Sequence, residues 1–361
     1  VIVVVFVRGL INGMVDSTYA DSFQYQTGHI RLIDKDYRQK ERLLSLNHSV
    51  DGFSDEGVGN MVNEMKKFDG VKLVIPRLKF GGVFSTGEEL IEMMGWGVDS
   101  SKELKFTDLD KNIKEGRMVK EGKMEVVMGK DLLKEINRNV GDKVTILYNT
   151  SFSSFKGATF KIVGKVDSNL KLLNEKLFYL PLDRAQHLLY MDSQATELLF
   201  ELEDREMAAE VSNNIDNFLK EKGLTNKYSV IPWRDSGGFI PFLDLAKNIY
   251  NFIYIFIVAL ASFVVINTMI MIVKERTQEI GMMSALGLKT GSILRLFVYE
   301  GAIMGVIGSL IGSVLGGIMT KVLSNIGIDF TESFEGIGEE VMISPVIYPS
   351  YSFTNIIFGF L

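Results

Sequence analysis

The chain has 361 residues and carries 39 Lys+Arg against 45 Asp+Glu, a formal net charge of −6. That acidic balance excludes the basic face nucleic-acid binding needs, and the absence of Cys excludes disulfides, thiolate chemistry and Cys-ligated zinc. The three histidines, His29, His48 and His187, match no metal-ligand spacing, so no metal site is expected. The averages hide a split: residues 12–248 hold 33 Lys+Arg and 37 Asp+Glu in 237 residues, whereas 249–361 hold 5 and 8 in 113. The first stretch reads as a solvated globular domain and the second as membrane.

In chain order, Val-Ile-Val-Val-Val-Phe-Val at 1–7 reads as the end of a first transmembrane helix, over 1–11, cut by the start of the sequence. A signal-peptide core is the rival there, but no small-residue cleavage site follows. Residues 12–247 read as an extracytoplasmic α+β domain. Gly28-His-Ile-Arg-Leu-Ile33 alternates as a strand does, Glu56–Phe68 reads as a helix, and Val71–Ile75 as a strand ending at Pro76. Val126–Met128 predicts a strand, Lys130–Arg138 a helix, and Lys143–Tyr148 and Phe160–Val166 two more strands. Phe178–Leu180 leads to Pro181, with Asp183 as N-cap of a helix through Leu189. Thr196–Leu202, a helix over Arg205–Lys222 stopped by Gly223, and strand Tyr228–Ile231 complete the domain, with a β-rich portion at about 115–190 inserted in the rest. Between Leu147 and Phe160 a polar hairpin carries Phe152 and Phe155; it is either an ordinary tip or a loop that binds a partner, since aromatics on a protruding hairpin suit protein recognition.

Asn248 to Val273 are 26 uncharged residues between Lys247 and Lys274. As a helix they reach roughly 39 Å, enough to cross a ~30 Å hydrocarbon core. Leu296 to Thr320 is a further span, interrupted by Glu300, and 353–361 reads as the start of a fourth, cut by the end of the sequence. The loop 274–295 carries Lys274, Arg276, Lys289 and Arg295, while residues 322–352 of the 321–352 loop carry Asp329, Glu332, Glu335, Glu339 and Glu340 and no Lys or Arg. The positive-inside rule puts the first loop in the cytoplasm and the second, with the 12–247 domain, outside; Arg8, near the outer end of the first span, runs mildly against that rule. Glu300 either sits at headgroup level or pairs inside the bundle. Gly301, Gly305, Gly308, Gly312 and Gly316 share one helix face and permit close packing, within the chain or across a dimer.

Catalytic signatures are missing. Gly164-Lys165-Val166 and Gly129-Lys130-Asp131 are the nearest approaches to a phosphate loop, and neither supplies the Mg²⁺-binding hydroxyl or the earlier Gly. There is no Gly-x-Ser-x-Gly elbow or His-Glu-x-x-His, and Glu88-Glu89 reads as a solvated face. No catalytic residue is assigned and this chain is not expected to hydrolyse ATP.

The loop after the second span carries the most information. Lys274, Glu275 and Arg276 end the span; a short helix follows with Ile280, Met283 and Leu286 on one side, and Gly287 stops it. Such a helix either rests on the membrane surface or inserts into a partner's groove. Asn267, Glu275-Arg276, Glu279-Ile280-Gly281, Ala285-Leu286-Gly287, Ile293 and Glu300 resemble the signature of the FtsX-type permeases, a family that includes the MacB efflux permeases and the LolC/LolE lipoprotein-releasing permeases. Met128-Gly-Lys-Asp-Leu-Leu, Val140-Gly-Asp-Lys-Val-Thr, Phe160-Lys-Ile-Val-Gly and Tyr179-Leu-Pro-Leu-Asp-Arg-Ala-Gln resemble the MacB-type periplasmic core, and Ile231-Pro-Trp-Arg-Asp resembles a LolC/LolE element.

The resemblance implies a membrane protein of four transmembrane helices with a large extracytoplasmic domain, placed in a bacterial inner membrane. It implies that Glu275, Arg276, Glu279, Ile280, Gly281, Met283, Leu286 and Gly287 form a coupling helix for a separate, LolD-like ABC ATPase that holds the ATP and Mg²⁺, this chain binding no cofactor itself. It also implies a second permease chain, a lipoprotein cargo, contact with membrane lipids, and a soluble periplasmic carrier received at a hairpin for which Phe152 and Phe155 are the analogue. The rivals are a MacB-like machine for peptides or small molecules, whose chains carry their own ATPase, and an FtsX-like signal transmitter, whose outer domain is smaller.

Overall fold

The computed structural model describes residues 1–53, 56–85, 87, 89–107, 109–236, 240–331 and 344–360, with backbone alone at 240–244, 246 and 247. In chain order the elements are α1 (Ile2–Ser22), β1 (Ile30–Asp34), α2 (Tyr37–Lys40), α3 (Val58–Met65), β2 (Val71–Ser85), β3 (Leu90–Val98), α4 (Ser100–Thr107), β4 (Ile113–Gly116), β5 (Glu125–Gly129), α5 (Lys130–Glu135) and β6 (Lys143–Asn149). They continue with β7 (Phe155–Val166), α6 (Lys171–Glu175), β8 (Leu177–Pro181), α7 (Leu182–Leu189), β9 (Glu197–Leu202), α8 (Ala208–Glu221), β10 (Tyr228–Pro232), α9 (Ile240–Glu275), α10 (Thr277–Ala285), α11 (Thr290–Ile326), β11 (Ile328–Asp329), β12 (Val346–Ile347) and α12 (Phe353–Phe360). Two compact units result: Val1–Ser17 with Gly238–Phe334 and Val346–Leu361, and Thr18–Gly237 with Glu335–Pro345.

The second unit is α+β, built on one sheet of order β10-β1-β9-β2-β3-β8-β5-β7-β4, with β6 pairing both β2 and β7. The β2–β6 pairing, at Gly82↔Tyr148 and Val83↔Leu147, closes β2, β3, β8, β5, β7 and β6 into a ring of strands. A closed ring has no free edge among its members. The strands expected in the 115–190 portion therefore share a ladder with β2 and β3. Leu78, Phe80, Met93, Val126, Ile146, Phe160 and Phe178 are buried together as its core.

Three local expectations need correction. β2 does not end at Pro76 but runs to Ser85; pairing with β3 begins only at Arg77↔Val98, so the missing imide N–H leaves no gap in that ladder. Asp183 does not cap α7: Pro181 holds that position, and Asp183 Oδ2 instead accepts from Gly122 N at 3.0 Å and Arg184 Nε at 3.0 Å. Leu90–Val98 was not expected as a strand, because Gly95 and Gly97 weaken its β signal. The structure supplies the reason for Gly95: a Cβ there would stand 2.4 Å from Phe80 and 2.6 Å from Phe178, the rings that fill the core.

Three helices among the described residues are long and apolar enough to cross a membrane: Asn248–Glu275 and Thr290–Ile326 in the first unit, and Ile2–Thr27, which begins in it. α12 is described over eight residues. α1 continues as helix past residue 11 to Ser22, and α9 and α11 extend beyond the apolar cores 248–273 and 296–320. Apolar side chains on α9 and α11, Phe252, Phe263 and Met304 among them, point outward, as helices solvated by lipid require. The glycine stripe divides. A Cβ at Gly312 would meet Val1 at 2.7 Å and one at Gly316 would meet Val5 at 3.0 Å, so these two admit α1; nothing lies within 4 Å of that position at Gly305 or Gly308. Gly301 faces Met269 of α9. In the 321–352 loop, β11 and β12 pair, while Glu332, Glu335, Glu339 and Glu340 lie outside the described residues.

Candidate functional site

α9 and α11 are long helices joined by the nine-residue α10. The break between α9 and α10 falls at Arg276, which leaves helical geometry with φ −92° and ψ 16°. Thr277 Oγ1 donates to Lys274 O at 2.7 Å, satisfying a carbonyl that the ended helix leaves open. At the other end Gly287 adopts φ +87°, the left-handed stop expected of it. Arg276 Nη1 meets Glu300 Oε1 at 3.1 Å, so the span's acidic residue pairs within the unit and ties the α9–α10 corner to α11.

The apolar residues of α10 do not share one exposed face as their spacing implied. Ile280 and Met283 are half-buried, because α10 rests against both α9 and α11. The outward apolar surface consists of Met282, Leu288 and, above all, Leu286, which is 82% exposed. Met282 was missed because a nine-residue stub does not reveal from spacing which side its flanking helices cover. Glu275, Arg276 and Glu279 are exposed. Gly281 is exposed too, and a Cβ there would meet nothing within 4 Å, so nothing among the described residues forces glycine at this position.

The hairpin between β6 and β7 turns through Thr150–Ser154, where Ser153 adopts φ +56°. Phe152 is 76% exposed and Phe155 62% exposed. The turn is anchored: Ser151 N donates to Leu189 O at 3.1 Å and Ser151 Oγ to Tyr190 O at 3.2 Å. Tyr190, at the C-terminus of α7, joins the patch. Its ring centroid lies 5.8 Å from that of Phe152, and Lys156 both caps the ring and hydrogen-bonds its hydroxyl. Tyr190 is 38 residues from Phe152 in the chain, so no local pattern could attach it to the hairpin.

At the centre of the sheet lies a buried ion network. Glu197 receives Arg31 Nε at 2.7 Å and Lys79 Nζ at 2.7 Å, and Arg77 forks onto Glu103 at 2.6 and 3.2 Å while donating to the carbonyls of Tyr25 and Gln24 at 2.9 Å each. Burial would raise the Glu197 carboxyl, but Arg31, Lys79 and Arg77 outweigh it and hold it below the ordinary glutamate range. Burial lowers Lys79, with Glu197 opposing. Each of these charged side chains is paired with an opposite charge, so the network reads as structural. Asp34, Asp36 and His48 bring three ligand-type atoms within 4.8 Å of one another, which their spacing did not reveal. Two of the three are engaged with protein groups: His48 Nδ1 lies 3.3 Å from Asp34 Oδ1, and Lys40 Nζ lies 2.9 Å from His48 Nε2.

Residues 1–218 match the MacB-like periplasmic core domain, and residues 251–361 match the FtsX-like permease C-terminal region. The chain belongs to this FtsX/MacB permease family. Curated relatives include a lipoprotein-releasing system transmembrane protein LolC of Xylella fastidiosa, 24% identical over 231 residues, covering 62% of this chain and 54% of the relative. A lipoprotein-releasing system transmembrane protein LolE of Haemophilus influenzae is 26% identical over 262 residues, covering 69% and 60%. The chain thus spans little more than half the length of these relatives. Among solved structures, the periplasmic region of MacB from Actinobacillus actinomycetemcomitans aligns with a TM-score of 0.40 at 14% identity, covering 62% of this chain and 92% of that one.

Proposed function

We propose that this chain is the permease subunit of an ABC transporter in a bacterial inner membrane. It extracts lipoproteins from the outer leaflet with energy from a separate, LolD-like ATPase. The observation that carries the reading is the α10 corner. A stub helix braced by Arg276–Glu300 presents Leu286 and Met282 outward beside a glycine with open space around it. An exposed apolar anchor beside a position where another backbone can approach closely is what docking into a partner's groove requires.

On this reading ATP and Mg²⁺ belong to the partner, and this chain catalyses no bond-breaking itself. Closure of the ATPase pushes on α10, and the brace to α11 passes the push along the span. A second permease chain completes the assembly, with the open Gly305–Gly308 stretch of α11 as the face available to it. A soluble carrier receives the cargo at the patch of Phe152, Phe155 and Tyr190. The match of residues 1–218 to the MacB-like core favours a second reading: the same lever driving export of peptides or small molecules.

Leu286→Glu is the test. The variant should reach the membrane folded, fail to retain the ATPase in detergent and lose stimulated ATP hydrolysis. Normal co-purification and stimulation would refute the coupling role of α10. Whether a lipoprotein carrier or only an ATPase is retained by the wild type separates lipoprotein release from the second reading.

A further inference from the structure

We propose that the end of the helical unit remote from α10 binds the phosphate of a phospholipid headgroup, with Arg8 as the ligand. Arg8 lies on α1 inside an apolar run. Its Nε donates to Asn355 Oδ1 at 3.3 Å, and its guanidinium carbon stands 3.6 Å over the Phe358 ring. Asn355 is buried and engaged at both ends of its amide: Oδ1 also accepts from Asn12 Nδ2 at 3.0 Å, and Nδ2 donates to Ser350 O at 3.2 Å. The backbone fixes this arrangement, because Ser350 N donates to Gly9 O at 2.7 Å and a Cβ at Gly13 would collide with Tyr348 O at 2.1 Å. Among the described residues no carboxylate pairs with Arg8, and its two terminal nitrogens have no hydrogen-bond partner.

The level of this arrangement points to the occupant. Tyr348, Tyr351 and Phe353 are exposed around it, and Lys321 lies 5.6 Å over the Tyr351 ring. Exposed tyrosines beside Lys and Arg mark the depth at which lipid headgroups sit. A guanidinium held at that depth by an amide and an aromatic ring, with both Nη groups free, presents the planar fork that fits two phosphate oxygens. The amide network orients the fork without neutralising it. A membrane phosphate supplies the missing charge, and its acyl chains lie along the apolar flanks of the bundle. The inference needs this unit to sit in a bilayer but does not depend on what cargo is moved.

The test titrates the intact, delipidated protein in detergent with dioleoyl phosphatidylglycerol and counts bound lipid by native mass spectrometry. The wild type should retain one tightly held lipid. Arg8→Gln should weaken that binding about tenfold, the scale of one lost charge-assisted pair, while Arg8→Lys should lose less. Asn12→Ala cuts one bond of the amide network but keeps the cation, so it should retain the lipid. Dioleoylglycerol, with the same chains and no phosphate, should not compete. Equal retention by wild type and Arg8→Gln would overturn the proposal, as would competition by dioleoylglycerol. Displacement by millimolar inorganic phosphate would assign the site to a free anion instead, and loss in Asn12→Ala as large as in Arg8→Gln would make the effect one of packing.

Discussion

The two units place the same residue types in opposite ways. In the α+β unit, Arg31, Arg77, Lys79, Glu103 and Glu197 are buried at the centre of the sheet, each against an opposite charge. In the helical unit the large apolar side chains face outward, and the Arg276–Glu300 pair stands at the α10 end, about two-fifths exposed on each side. The difference teaches which solvent each unit was built for. In water, burying apolar surface drives folding and a buried charge survives only when paired. In lipid there is no such drive between helices, so close approach at Gly312 and Gly316 and a few polar contacts do the joining.

The contrast can be broken most forcefully at its buried charges. Glu197→Ala removes the shared partner of Arg31 and Lys79; Arg31 keeps Glu41 at 2.6 Å, but Lys79 loses the carboxylate that pairs it, and leaving a buried cation unpaired costs about 3–5 kcal/mol. Both tryptophans, Trp96 and Trp233, lie in the α+β unit, so intrinsic fluorescence melting reads that unit directly; an unchanged melting curve would show that the network contributes nothing. Next in size is Gly95→Val. Its side chain would intrude on Phe80 and Phe178, and overpacking of that kind costs about 1–3 kcal/mol. The same melting experiment should show a clear loss.

Acid sharpens the comparison more gently. Asp51 is held below the ordinary aspartate range: burial would raise it, but hydrogen bonds from Lys227 and Tyr228 outweigh that, and Glu197 is held low as described. A depressed folded-state pKa gives stability that is present above the unfolded value, about 4, and is lost as pH falls through the lowered value. The melting-temperature difference between the wild type and Asp51→Asn should therefore be steady from about pH 7 to 5 and shrink below about 4. A steep loss already between 7 and 5 would contradict this. Smallest in stability is Glu300→Lys. A half-exposed pair is worth about 0–1 kcal/mol, yet the variant sets two cations together where α10 meets α11. Full-length protein should fold normally while ATPase stimulation falls, and unchanged stimulation would remove the brace from the mechanism.

Much of the architecture was legible because it rests on period and solvent. The uncharged run 248–273, the alternation in Ile30–Asp34 and the glycine stop at Gly287 are local signals, and each appears as an element or an end in the structure. β3 was not legible, since two glycines required by packing look like breakers when read alone. The 82%-exposed Leu286 was legible from its place beside the Gly287 stop, whereas the half-burial of Ile280 and Met283 depended on which side α9 and α11 cover.

Composition and periodicity by themselves determined that a charged α+β region precedes apolar helices, and that a charged corner and a short helix separate two of them. Hydrophobic period and charge spacing act within a few residues, so they survive in a one-dimensional reading. Only the tertiary structure decided that β6 closes the strands on β2, that Tyr190 joins Phe152, that Arg276 grips Glu300, and that Arg8 is held by Asn355 with its fork free. Each of these joins residues tens or hundreds of positions apart, and such pairings are set by packing of the whole chain rather than by any signal along it.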